Sequence, residues 1–158
     1  MAILVGAGVY FGMSRQDNSD SGPALNTPTQ IVQTPSAQAA GKVPQEYLGT
    51  WDSAIDNATG HHTRHLVIQQ GGVGDTVLSL TADGPTKSGG TYHCGFTAEL
   101  TSAPTGDGGP LHIGQSAVTV AEPVSACTPG GASTITLLSD GRLRRTGGGE
   151  QLMYTKAG

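Results

Sequence analysis

Cys94-Gly95-Phe96-Thr97-Ala98-Glu99-Leu100-Thr101 alternates: Cys94, Phe96, Ala98 and Leu100 fall on one side, Thr97, Glu99 and Thr101 on the other. Successive side chains of a strand point to opposite faces, so this run reads as a strand with one dry face and one wet one. The same period repeats outward in both directions. Upstream, Leu78 and Leu80 share a face, as do Leu66 and Ile68 in Arg64–Gln70, and Trp51 and Ile55 in the run from Thr50. Downstream come Leu111 and Ile113, then Val118 and Val120, then Ile135 and Leu137. Asp140-Gly141 favours a tight hairpin in which both turn residues take positive φ, and Leu143 lies on the returning strand. Gly147-Gly148-Gly149 turns the chain into a last strand carrying Leu152 and Tyr154.

Gly, Pro or Asp interrupts these runs every eight to twelve residues, roughly the spacing of antiparallel sandwiches and barrels. No run has the period of an amphipathic helix. The expected fold is all-β: a small antiparallel up-and-down β-barrel or curled sheet of about eight strands over residues 46–158. Closure is favoured because it removes exposed strand edges.

Composition agrees. The chain has 158 residues with 25 Gly, and only 13% are charged, against about 25% in an average soluble domain. One Trp, four Tyr and two Phe leave little aromatic bulk for a core. A long helical bundle, a coiled coil and a large multi-domain enzyme are excluded. The net charge is −4, with eight Lys and Arg scattered along the chain. Nucleic-acid binding needs a basic stripe that neutralises several phosphates, so no nucleic-acid partner is expected. The one cluster, Arg142, Arg144 and Arg145, reads as a solvated strand face.

Residues 1–13, MAILVGAGVYFGM, carry no charge. A bilayer span takes about 20 such residues, so the segment is expected to be a transmembrane helix or its C-terminal part. Ile3-Leu4-Val5-Gly6-Ala7-Gly8 imitates a dinucleotide-binding turn, but Phe11 stands where that fingerprint needs Gly or Ala. Gly8 and Gly12 are four apart, a spacing that would permit helix dimerisation in a membrane. Residues 14–45 are rich in Pro, Ser, Thr, Gln and Ala and are expected to be a disordered tether. These features predict a single-pass protein of the cell membrane with its β-domain beyond the tether. For a domain outside the membrane, Cys94 and Cys127 are expected to form a disulfide.

Catalytic motifs are absent from the sequence. Gly114-Gln115-Ser116-Ala117-Val118 lacks the final glycine of a nucleophile elbow. Asp52, Asp75 and Glu99 read as strand-face or turn carboxylates. His61 and His65 would point the same way in an extended segment and, with Asp56, are the metal-ligating candidates. A usable site wants further ligands and a supporting shell, so the polar-loop reading is preferred and no cofactor is expected. Asn57-Ala58-Thr59 matches a glycosylation acceptor and supports surface placement there. Trp51 and Tyr92 are candidates for the mouth of a ligand site, with Trp51 reading more readily as a core plug. Three functions compete: a sensor binding an extracellular ligand, a scaffold binding a protein or polymer of the cell envelope, and a hydrolase.

Several phrases together resemble a known family. They are Tyr47-Leu48-Gly49-Thr50-Trp51, the run Leu66-Val67-Ile68-Gln69-Gln70-Gly71-Gly72-Val73-Gly74-Asp75, Cys94-Gly95-Phe96-Thr97-Ala98-Glu99-Leu100, Cys127, and Leu138-Ser139-Asp140-Gly141-Arg142-Leu143. They look like the extracytoplasmic C-terminal β-domain of actinobacterial membrane Ser/Thr protein kinases and related membrane-anchored proteins. The resemblance covers about Gln45 to Tyr154. It implies the order kinase domain, membrane helix, tether and sensor domain, with the β-domain outside the cytoplasm and this chain beginning inside the helix; it carries over no site residues. Gly49-Thr50-Trp51 also looks like the first strand of lipocalins and avidins, whose Trp plugs one barrel end.

Overall fold

The computed structural model describes residues 41–106 and 108–158. The expected membrane segment, Gly8 and Gly12, and residues 14–40 of the expected tether lie outside them. Among the described residues no helix is long and apolar enough to cross a membrane.

Nine antiparallel strands form among the described residues: β1 Gly49–Asn57, β2 Gly60–Ile68, β3 Thr76–Pro85, β4 Thr91–Ser102, β5 Leu111–Ile113, β6 Ala117–Glu122, β7 Ser133–Leu137, β8 Leu143–Gly147 and β9 Glu150–Lys156. Eight of them close a barrel in the order β1-β2-β3-β4-β5-β7-β8-β9, with β9 returning to β1. The all-β barrel expected from the strand period is present. Its topology departs from a pure up-and-down meander at one place. β4 is long enough to pair with β6 along His93–Thr97 and with β5 beyond Leu100. β6 therefore lies beside the ring, and β5 joins β7 directly. The nineteen-residue span from Gly114 to Ala132 is occupied by β6 and its return, so β5 pairs with β4 and β7 and not with β6, its neighbour in sequence.

Hairpin chemistry sets the registers. Gly148 and Gly149 both take positive φ (59° and 83°), giving β8–β9 a two-residue turn between Gly147 and Glu150. At Asp140-Gly141 the expected two-residue turn is replaced by a three-residue one. The Gly141 N–H donates to Leu138 O at 3.0 Å, Gly141 alone supplies the left-handed position at φ 86°, and the Leu138 N–H donates to Arg142 O at 2.8 Å.

The core fills one end of the barrel. Trp51, Leu66, Leu78, Leu100, Leu111, Ile113, Ile135 and Leu143 are all essentially buried there, and Tyr154, also buried, bounds this core toward the other end. Burial of each large apolar side chain stabilises the fold by about 1.5–3 kcal/mol. The base is sealed by a 3₁₀ turn, Gln45–Tyr47. The Tyr47 hydroxyl donates to Gly109 O and accepts from the Leu137 N–H, both at 3.0 Å, while the Trp51 indole donates to Tyr47 O at 2.9 Å. The folded body takes in residues 41–45, which the composition assigned to the tether. Val43 is buried because Gln70 clasps its backbone twice, accepting from the Val43 N–H and donating to Val43 O, each at 2.8 Å.

Candidate ligand-binding site at the open end of the barrel

At the end opposite Tyr47 the inward positions change character. Arg64 precedes Leu66 by two residues on β2, and Arg145 follows Leu143 by two on β8, so both point into the barrel. Arg64 is flanked in register by Ser53 of β1 and Ala82 of β3, whose small side chains leave room for a guanidinium. Arg145 is flanked by Ile135 and Leu152. Two adjoining cavities, of about 320 and 500 Å³, share Arg64, Leu80, Arg145, Gly130 and Glu150 as walls. Ligand sites begin at about 300 Å³. The smaller cavity is floored by Tyr154; the larger opens past Tyr92, Cys94 and Phe96.

A chain of hydrogen bonds fixes one wall. Asn57 Oδ1 lies 3.1 Å from His62 Nε2 and must accept, so Nε2 carries the proton. His62 Nδ1 is then free to accept from the Tyr92 hydroxyl at 2.9 Å, and Tyr92 Oη accepts from Arg64 Nη1 at 3.0 Å. Arg64 also lies 6.0 Å from the centre of the Tyr92 ring. Opposite, Arg145 Nε donates to Ser133 Oγ at 3.0 Å. Among the described residues neither arginine makes an ion pair. Glu150, also on the wall, is exposed at the rim.

Tyr154 is fully buried, and its hydroxyl has no hydrogen-bond partner among the described residues. Burial holds this phenol above its ordinary pKa, while the nearby Arg145 and Arg64 cations oppose that rise. Arg145 thus lies close to the hydroxyl without a hydrogen bond of good geometry to it. A buried polar group left unpaired costs about 1–3 kcal/mol. The floor of the cavity therefore offers an unused donor beside two unneutralised cations.

The rim opposite the glycine hairpin is held by two devices. Cys94 and Cys127 stand at disulfide-bonding distance, with Cα atoms 5.6 Å apart, as their predicted compartment implied. The Ser116 N–H donates to Gly130 O at 2.9 Å, and Ser116 Oγ accepts from the Gly130 N–H at 2.7 Å. Ala126, Thr128 and Gly130, which line the larger cavity, are thereby fixed over β4.

The structure separates the residues singled out from the sequence. Tyr92 lines the mouth. Trp51 is in the base, 2% exposed, with Lys156 Nζ 4.4 Å from its ring centre. His61 and His65 share the outer face but bind different carboxylates, Asp56 at 2.8 Å and Asp52 at 2.6 Å. No group of three metal-ligating side chains occurs among the described residues. The arginine cluster is split three ways. Arg142 pairs with Asp140 at 2.8 Å, Arg144 faces outward, and Arg145 faces the cavity, contrary to the solvated-face reading. Arg64, Arg145, Tyr154 and His62 escaped sequence reasoning, although the parity of Arg64 with Leu66 and of Arg145 with Leu143 carried the signal.

Comparison with protein-family models, with curated proteins and with solved structures finds no match to this chain.

Proposed function

We infer that this chain carries a sensor, a non-enzymatic ligand-binding domain held outside the cytoplasm by an N-terminal membrane segment. We place it at the C-terminal end of a Ser/Thr protein kinase. The observation that supports ligand binding is the asymmetry of the barrel: one end is packed with apolar side chains, and the other encloses a cavity with converging polar groups on an apolar wall. Eight-stranded barrels are just wide enough to do both. The envelope-scaffold reading draws less support, because Val73, Val120 and Val124 are the large exposed apolar residues described and they include no aromatic anchor. The membrane and kinase parts of the reading rest on the apolar run at residues 1–13 and on the resemblance of the folded part.

Two measurements test it in cells. Alkaline phosphatase fused after Gly158 should be active, as it is only when exported; an inactive fusion overturns the placement. Deleting residues 46–158 should abolish the response of the attached kinase to envelope stress; an unchanged response to every stress overturns the sensing role.

A further inference from the structure

Building on the ligand-binding reading of the open end, we propose that the cavity is an anion site. Arg64, Arg145 and the Tyr154 hydroxyl would bind the single carboxylate or phosphate end of a small ligand whose remainder lies on the Leu80 and Leu152 wall.

Three independent features carry this. The first is charge. Two guanidinium groups face one cavity from β2 and β8, and among the described residues no carboxylate pairs with either. A half-enclosed cation without an ion-pair partner is unfavourable, and an anion from solution would supply one. The second is direction. Each guanidinium is anchored through part of its fork, Arg64 through Nη1 and Arg145 through Nε, which leaves N–H groups on both to meet an oxygen pair. Planar forks of this kind match carboxylate and phosphate oxygens. The third is the unsatisfied donor on the floor. Tyr154 is wholly buried, lines the cavity and has no described partner, so an anionic oxygen there would accept the hydrogen bond that the protein leaves unmade.

Glu150 limits the choice. Its carboxylate stands at the rim of the same cavity, on the first residue of β9, and repels a second negative group entering behind the first. The ligand thus carries one anionic group, at its inner end, and is uncharged or cationic where it passes the rim. Leu80 and Leu152 next to the cations give its body an apolar wall.

The test uses the full chain and three probes: hexanoate, hexyl phosphate and uncharged hexanol. Binding is followed through the side-chain Nε–Hε resonances of Arg64 and Arg145. Hexanoate or hexyl phosphate should shift both resonances saturably and hexanol should not, and the pair of anions tells carboxylate from phosphate preference. Arg64→Gln and Arg145→Gln should each weaken the preferred anion about tenfold. Tyr154→Phe, which keeps the packing, should weaken it about threefold or more. Hexanol binding as well as the anions, with the Gln variants indifferent, overturns the anion site and leaves a ligand pocket. Failure of all three probes to perturb any cavity residue overturns the anion site together with the pocket reading. Tyr154→Phe serves as the folded control should either Gln variant lose its dispersed spectrum.

Discussion

The rings of His62 and Tyr92 stack 5.7 Å apart across Gly84 of β3, which pairs with Tyr92 and follows Asp83, the register partner of Thr63. A Cβ at Gly84 would run into the His62 imidazole and lie 3.0 Å from the Tyr92 ring. The missing side chain is therefore what lets β2 and β4 join hands over β3. That contact aims the Tyr92 hydroxyl at Arg64 and so sets one wall of the open end.

Gly84→Ala should destabilise the barrel by about 1–3 kcal/mol, the usual cost of overpacking. Denaturant unfolding measures it directly. Loss of the Arg64–Tyr92 contact should accompany it as a shift of the Arg64 side-chain resonance. A variant as stable as the parent would show that the ring stack yields without cost.

Reducing the Cys94–Cys127 bond should cost about 3–4 kcal/mol in the chain-entropy view, given a sequence separation of 33. Cys94→Ala combined with Cys127→Ala should show the same fall in denaturation midpoint. Amide exchange should rise first at residues 126–131, because the bond pins that rim segment to β4. Uniform loss of protection across the barrel would contradict this local role.

His93 is held above the ordinary imidazole pKa by its hydrogen bond to Asp83 and then by the charge of that carboxylate. Because the folded pKa is raised, this pair supports the β3–β4 pairing fully below about pH 6.5, the value of a free imidazole. The support is lost as pH rises through the folded value. A proton NMR titration of the His93 ring should give a midpoint above that of an unstructured histidine, and Asp83→Asn should bring it down. The pair is exposed, so high salt should narrow the difference.

Burial holds the Tyr154 and Tyr47 phenols above the ordinary value of about 10. The fold keeps protons there that the unfolded chain releases, so stability should fall as pH climbs past 10 toward the folded values. Arg145→Gln removes a cation that favours the Tyr154 phenolate, and ultraviolet titration should show that tyrosine ionising at still higher pH. A downward shift would mean that Arg145 does not face the hydroxyl.

The strands were legible because a period of two is a local property. Cys94 to Leu100, Leu78 with Leu80 and Leu66 with Ile68 each announce a buried face within one short run. The same parity places Arg64 and Arg145 inward, but charge ordinarily marks the wet face of a strand, so alternation of apolar residues does not reveal them. His61 and His65 illustrate the converse. Their common face was readable, but the two carboxylates that divide them, Asp56 and Asp52, come from the partner strand and depend on its register.

The sequence by itself determined an all-β chain, the identity of most inward apolar residues, and a cysteine pair inside the folded part. Those follow from alternation and composition, which act between residues close along the chain. Only the tertiary structure decided that β6 stands aside from the ring, that Trp51 and Tyr47 seal one end, and that Arg64, Arg145 and Tyr154 meet at the other. Those placements depend on which strands pair and at what stagger. Closure of the barrel sets both by bringing β9 back to β1, a contact between the two ends of the folded chain that no local pattern specifies.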